Sequence, residues 1–318
     1  MRRPRGGPAV RGAGEGRAPQ NPHPPKEEPG VKFVVYNEWQ VGVLRDEAVC
    51  DVSRLIPEPW RGTIYAMNWL VKHFDGIRAD VGRCAGEAAP VGLSSVRLRP
   101  PVPVPMQLLA APANNAAHFE EMRAISGTQT RLKSPRESGF FLKAPGSIVG
   151  PSDAIELPPL PGRRFDHEGE LALVIGKEAR AVPRGRALEY VFGYTCLIDV
   201  TLRAGGGRDE ERPMRKSYAT FTPVGPALVT ADEVPDPADL GVRLWVNGDL
   251  RQNASMRDLI VGVPELIEIA SHVLPLQPGD LYTTGSPSGV GPLAPGDTVV
   301  VELDRVGRMS LPVRLREW

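Results

Sequence analysis

The stretch Phe165–Gly176 reads FDHEGELALVIG and sets Asp166, Glu168 and Glu170 two residues apart ahead of an apolar run. The run predicts a strand. Strand side chains alternate, so the three carboxylates share one face, which Ala172 and Val174 continue as packing. Like charges on one face repel unless something neutralises them. A cation does so, and two carboxylates at i and i+2 project close enough to share one hard ion. Asp199, at the end of the apolar VFGYTCLIDV, is a candidate third ligand, because a carboxylate there is costly unless paired. All-carboxylate ligation suits magnesium, manganese or calcium and disfavours zinc and copper, and it leaves positions for water and an anionic substrate. Spacing alone does not decide the matter: Glu-x-Glu also reads as a solvated strand face, and Asp199 as a turn cap.

A second constellation lies in NNAAHFEEM, Asn114–Met122. His118 and Glu121 are three apart and share a face if the segment is helical. A carboxylate beside an imidazole orients it and raises its basicity, which suits a general base acting on water or on an acidic C–H; a surface histidine on a short helix is the plainer reading. His23 lies near the N-terminus, and His73 and His272 sit late in predicted helices. His167 alternates away from Glu168 and Glu170 and is not taken as a ligand.

These residues need a scaffold. The chain has 318 residues, enough for one large domain or two ordinary ones, with 34 Pro and 34 Gly that imply many turns and short strands. Residues 1–30 are rich in Pro, Gly and Arg without apolar periodicity, which predicts a disordered tail. Lys32–Asn37, Gln40–Arg45 and Ala48–Val52 read as strands and Thr63–Phe74 as a helix, together a small N-terminal α+β domain over residues 31–99. Pro100–Pro105 (PPVPVP) is a stiff connector, and residues 106–318 form a strand-rich second domain. Within that domain Glu170–Ile175, Val191–Val200, Val242–Val246, Thr298–Glu302 and Met309–Leu315 read as strands. Asn247-Gly248 reads as a hairpin turn and Pro264–His272 as a helix.

Composition excludes several function classes. Lys+Arg and Asp+Glu are each 38, so there is no basic surplus for nucleic acid. No apolar run of about 18 residues predicts a membrane-spanning helix. Cys50, Cys84 and Cys196 form neither a zinc pattern nor a disulfide framework and fit a reducing cytoplasm. No G-x-G-x-x-G opens a helix after a strand, and Gly205-Gly206-Gly207 is not followed by the residues of a phosphate-binding loop.

Four ordered motifs carry a family resemblance. Phe165–Gly176, Phe192–Thr201 (FGYTCLIDVT), Lys216–Pro226 (KSYATFTPVGP) and Thr284–Gly291 (TGSPSGVG) resemble the fumarylacetoacetate hydrolase family, over most of Met106–Leu315. The segment RAGGGRDEERPMRKSY resembles its 2-hydroxyhepta-2,4-diene-1,7-dioate isomerase-like subgroup. The resemblance implies an α+β fold built on a distorted, mixed β-roll with small helices, behind the small N-terminal domain. It implies Glu168, Glu170 and Asp199 as ligands of Mg2+ or Mn2+, and His118 and Glu121 as a catalytic pair on a lid, Asn114–Gly127. It implies Lys216 as a catalytic group near the ion, and Lys143, Arg203, Thr284 and Gly285 as substrate-binding residues. A homodimer acting on a small anionic oxo acid or diketone follows by the same route. Asn115 stands where the family has Tyr, Ala219 where it usually has Asp, and Ala204–Gly207 where several members carry Gln.

The activity so implied is hydrolysis of a C–C bond in a 1,3-dicarbonyl or acylpyruvate-like acid. The alternatives are isomerisation or decarboxylation of an unsaturated oxo-diacid of aromatic catabolism, and a non-catalytic dimeric binding protein with a decayed site.

Overall fold

The computed structural model describes residues 30–126, 133–205 and 210–317. The expected tail therefore lies outside the described residues except for Gly30, as do Gly127 of the expected lid and Gly206 and Gly207.

The chain opens with β1 (Lys32–Tyr36), β2 (Gln40–Arg45) and β3 (Ala48–Asp51), followed by α1 (Ala66–Glu87). Next come β4 (Leu108–Ala110), α2 (Ala116–Ser126) and β5 (Phe141–Lys143). The carboxylate region supplies β6 (Phe165–His167), β7 (Gly169–Ile175) and β8 (Val191–Ile198), and β9 (Thr222–Thr230) follows. The hairpin β10 (Gly241–Val246) and β11 (Asp249–Ser255) precedes α3 (Val263–Val273) and β12 (Leu281–Thr283). The chain closes with β13 (Thr298–Leu303) and β14 (Gly307–Leu315).

A twelve-stranded sheet runs Val91–Gly92, β3, β2, β1, β9, β8, β7, β12, β4, β5, with two short strands off this path. Its pairs are antiparallel along this path except β12 with β4. A five-stranded sheet, β11, β10, β13, β14 and Ile155–Leu157, packs across it, and β6 joins two short strands in a third. This is the strand-rich α+β architecture expected. No helix among the described residues is long and apolar enough to cross a membrane.

β7 is buried along its whole length. Leu171, Leu173 and Ile175 face a core shared with Val242, Leu244 and Val301 of the second sheet. Ala172 and Val174 face a core with Leu197, Phe33 and Phe74. The alternation read from sequence thus gives β7 two apolar faces, with Glu170 at the end of one of them.

Three expectations change. The run Phe165–Gly176 is not one strand: it breaks at Glu168, and β6 leaves for the third sheet. The first helix runs on to Glu87, because Val81, Cys84 and Ala85 continue its buried stripe past Asp75-Gly76. The N-terminal strands do not form a sheet of their own, since β1 pairs with β9 through Lys32–Val229 and Phe33–Leu228. The Pro100–Pro105 connector accordingly does not span a gap; Val102 is fully buried in the core that holds Phe33 and Phe192. Phe74 meets Phe33 and Phe192 edge-on, with centroids 5.5 and 5.2 Å away.

Because Phe33 belongs to this shared core, Phe33→Ala is expected to destabilise the whole protein by about 3–5 kcal/mol. Urea unfolding followed by far-UV circular dichroism should show the main transition shifting. A separate early transition with the main one unmoved would show that the N-terminal strands unfold alone.

Candidate active site

The strand break at Glu168 is what gathers the acids. Asp199 follows the last residue of β8, and its N–H donates to the Glu168 carbonyl at 2.7 Å. Glu170 sits opposite Leu197 in the β7–β8 ladder. Glu168, Glu170 and Asp199 are all buried and each offers a carboxylate oxygen within 4.8 Å of the others. Among the described residues this is the one group of His, Cys, Asp and Glu arranged to hold a metal ion.

Buried carboxylates need partners. The Lys216 ammonium donates to Glu168 Oε2 at 2.7 Å, Asp199 Oδ2 at 2.5 Å and Thr201 Oγ1 at 2.8 Å, which uses all three of its N–H groups. Lys143, on β5, donates to Asp199 Oδ1 and to the Phe221 carbonyl, the latter at 3.0 Å. Arg203 forks between Asp166 Oδ2, 2.6 Å, and Glu168 Oε1, 2.7 Å, while Arg164 takes the other oxygen of Asp166 at 2.6 Å. Glu170 instead accepts from the Thr283 hydroxyl and from the Gly285 N–H, the latter at 2.8 Å.

The two glutamates are driven apart electrically. Burial would raise Glu168, but Lys216 and Arg203 outweigh it and hold its carboxyl far below the usual range. Glu170 has no guanidinium of its own; burial and the neighbouring Asp199 push it well up. Burial lowers Lys143, whereas Asp199 and Glu168 overcome burial at Lys216 and raise it.

His118 is buried at the start of α2 and its Nδ1 lies 3.0 Å from Glu121 Oε2. Burial alone would raise the Glu121 carboxyl; the His118 hydrogen bond and the Gly289 N–H, 2.9 Å from Oε1, together bring it below the ordinary range. His118 is near enough to Glu168 to help lower that carboxyl. Asn115 accepts from the His118 N–H at 3.1 Å and so caps α2, a use for the side chain that stands in place of Tyr. Asn114, fully buried, ties this helix to the Val261 backbone and the Thr284 carbonyl.

The structure thus brings together Glu168, Glu170, Asp199, His118, Glu121 and Lys216, with Lys143, Arg203 and Gly285 around them. The expected substrate anchors are engaged otherwise. Lys143 and Arg203 bind protein carboxylates, the Gly285 N–H serves Glu170, and the Thr284 hydroxyl donates to the Leu171 carbonyl at 3.1 Å. Asp166, placed with the other acids by alternation, is instead the anchor for two arginines. Sequence reasoning missed Thr283, Thr201 and Asn114. Asn114 was within sight, four residues before His118, but its partners lie 147 and 170 residues away.

The pocket fits a hard divalent ion. Its donors are carboxylate oxygens alone, they converge, and the Lys216 ammonium bridging Glu168 and Asp199 shows the demand for positive charge there.

Residues 107–314 match the family model described as fumarylacetoacetate (FAA) hydrolase C-terminal. The chain is 41% identical over 290 residues to a maleylpyruvate hydrolase of Aquipseudomonas alcaligenes, covering 89% of this chain and 99% of that one. It superposes with TM-score 0.78 and 39% identity on a maleylpyruvate hydrolase from Sphingobium sp. SYK-6, solved with manganese (II) and pyruvate, covering 90% of this chain and all of that one. A probable 2-hydroxyhepta-2,4-diene-1,7-dioate isomerase from Mycobacterium abscessus aligns with TM-score 0.74 and 29% identity, over 91% of this chain and all of that one. Motifs, fold and acid cluster converge on one conclusion: the chain belongs to the fumarylacetoacetate hydrolase family.

Proposed function

We propose that this protein is a divalent-metal-dependent hydrolase that cleaves a C–C bond of a small acylpyruvate-type oxo acid, with maleylpyruvate the first substrate to test. The observation that carries the reading is the buried Glu168–Glu170–Asp199 cluster beside the His118–Glu121 pair. Higher identity to the two hydrolases than to the isomerase supports hydrolysis over isomerisation.

Glu168, Glu170 and Asp199 would hold the ion, either Mg2+ or Mn2+, since both accept the same oxygen donors. When bound, such an ion stabilises the enolate charge that develops beside a carbonyl as the C–C bond breaks. The rest is done by this chain's own groups. Glu121 holds His118 through Nδ1, which leaves Nε2 to take a proton from water. The hydroxide adds to the acyl carbonyl, the bond to the pyruvyl methylene breaks, and the methylene gains a proton to give pyruvate and maleate. Lys143, Lys216 and Arg203 keep the acids aligned and offset their charge.

Charge supports a dianionic substrate. Counted formally, Asp166, Glu168, Glu170 and Asp199 face Lys143, Arg164, Arg203 and Lys216, four carboxylates against four basic side chains. A divalent ion then leaves two positive charges, which two substrate carboxylates would match. The homodimer implied by the family resemblance and the cytoplasmic setting expected from the cysteines complete the proposal. The three cysteines are buried and free, which suits a reducing compartment.

Turnover of maleylpyruvate should stop with EDTA and return with Mn2+ or Mg2+. In water enriched in oxygen-18, label should enter the maleate carboxylate; isomerised product without label would overturn hydrolysis in favour of the isomerase reading.

Glu170→Gln is expected to weaken Mn2+ binding by at least roughly tenfold, read by titration calorimetry. His118→Ala should lower kcat by roughly 100- to 10,000-fold with Mn2+ binding kept. Unchanged turnover in that variant would remove His118 from the mechanism.

A further inference from the structure

β11 is mostly solvent-facing: Asp249, Leu250, Arg251 and Asn253 are exposed, Ala254 and Ser255 half-buried. Its one fully buried residue is polar. Gln252 turns inward from the second sheet, and its amide reaches two separate parts of the candidate site. Oε1 accepts from the Gly169 N–H at 2.8 Å, the peptide N–H between Glu168 and Glu170. Nε2 donates to Ser286 Oγ at 2.8 Å and to the Pro287 carbonyl at 2.9 Å, in the loop that follows β12. The reverse orientation would set amide N–H groups against the Gly169 N–H and the side-chain oxygen against the Pro287 carbonyl, so the network fixes the amide in one sense.

The backbone is shaped for this approach. Gly289, at the far end of the same loop, has φ +96°, and a Cβ there would stand 1.9 Å from the Arg251 carbonyl oxygen. A Cβ on Gly169 would come within 3.0 Å of Leu244 and 3.3 Å of Gln252 Oε1. Gly289 in turn gives its N–H to Glu121, the partner of His118. One side chain therefore touches the peptide between two acids and the loop that steadies the base.

We infer that Gln252 is a positioning residue that sets the spacing of Glu168 and Glu170 and locks the Ser286–Gly289 loop under Glu121. The inference rests on the reading of Glu168, Glu170 and Asp199 as ion ligands. A buried amide that served packing alone would have no need to be polar, and an apolar side chain of similar length would do as well. Groups that orient metal ligands from behind change metal affinity when removed, typically about 10- to 100-fold.

The test uses the full chain without substrate, so failure to turn over maleylpyruvate does not affect it. Mn2+ affinity is read by electron paramagnetic resonance, and hydrogen exchange is read over Ser286–Gly289. Gln252→Leu should weaken Mn2+ binding by about 10-fold or more and speed exchange in the loop. Gln252→Glu keeps an acceptor for Gly169 but gives no donor to Pro287. It should hold Mn2+ close to the wild-type affinity while the loop exchanges faster, and it decides the matter if Gln252→Leu does not fold. Wild-type Mn2+ affinity in a folded Gln252→Leu variant, or wild-type loop exchange in Gln252→Glu, overturns the inference. If the wild-type protein itself binds no Mn2+, the reading of the acid cluster falls first.

Discussion

Four carboxylates crowd together in the interior, each almost fully buried, and everything around them answers that crowding. An isolated ionised carboxylate in such a place is very costly. Lys143, Lys216, Arg164 and Arg203 converge on Asp166, Glu168 and Asp199, and Glu170, left with a hydroxyl and a backbone N–H, is the acid pushed toward its neutral form. The pocket is balanced without being saturated. A divalent ion would convert Glu170 from the reluctant member of the set into a full partner, so ion binding and the charge state of that residue are one event.

Rigid strands hold this arrangement. β7 has apolar cores on both faces and a hydrogen-bonded neighbour on both sides, so Glu170 leaves a backbone with little freedom to drift. Glu168 sits in the break before it and Asp199 just past the end of β8, tied together by one backbone hydrogen bond. The His118–Glu121 pair comes from a different kind of element: the start of a helix, capped by Asn115 and pinned by Asn114. Acids at and beside strand ends and a histidine–glutamate pair on a helix give the site a fixed floor and a separately anchored wall.

Much of this was readable from local pattern. Period-two spacing placed Glu170, Ala172 and Val174 on one face, and the i, i+3 spacing of His118 and Glu121 anticipated their contact. Asn247-Gly248 forms the turn expected, with φ of 53° and 87°. What stayed hidden depends on partners distant in sequence. The break at Glu168 arises because β6 pairs with Thr201–Leu202 and Gly291–Pro292 rather than continuing the ladder of β7. Arg203 takes Asp166 and Glu168 as partners, and nothing local in the sequence shows them waiting for it. Gln252 sits in a polar strand with no sign that its amide faces inward. The Pro-rich stretch looked like a boundary because proline suggests a linker, and only the pairing of β1 with β9 shows the sheet carried across it.

The large sheet is open, and an open sheet has two borders with unpaired peptide groups. Here both borders are very short: Val91–Gly92 has two residues and β5 has three. Strands of that length give an approaching chain almost no template on which to add itself. The long, fully buried strands that would be hazardous at a margin, β7 and β8, lie in the interior. The order of strands that builds the site thereby also leaves the large sheet little margin on which another chain could add itself.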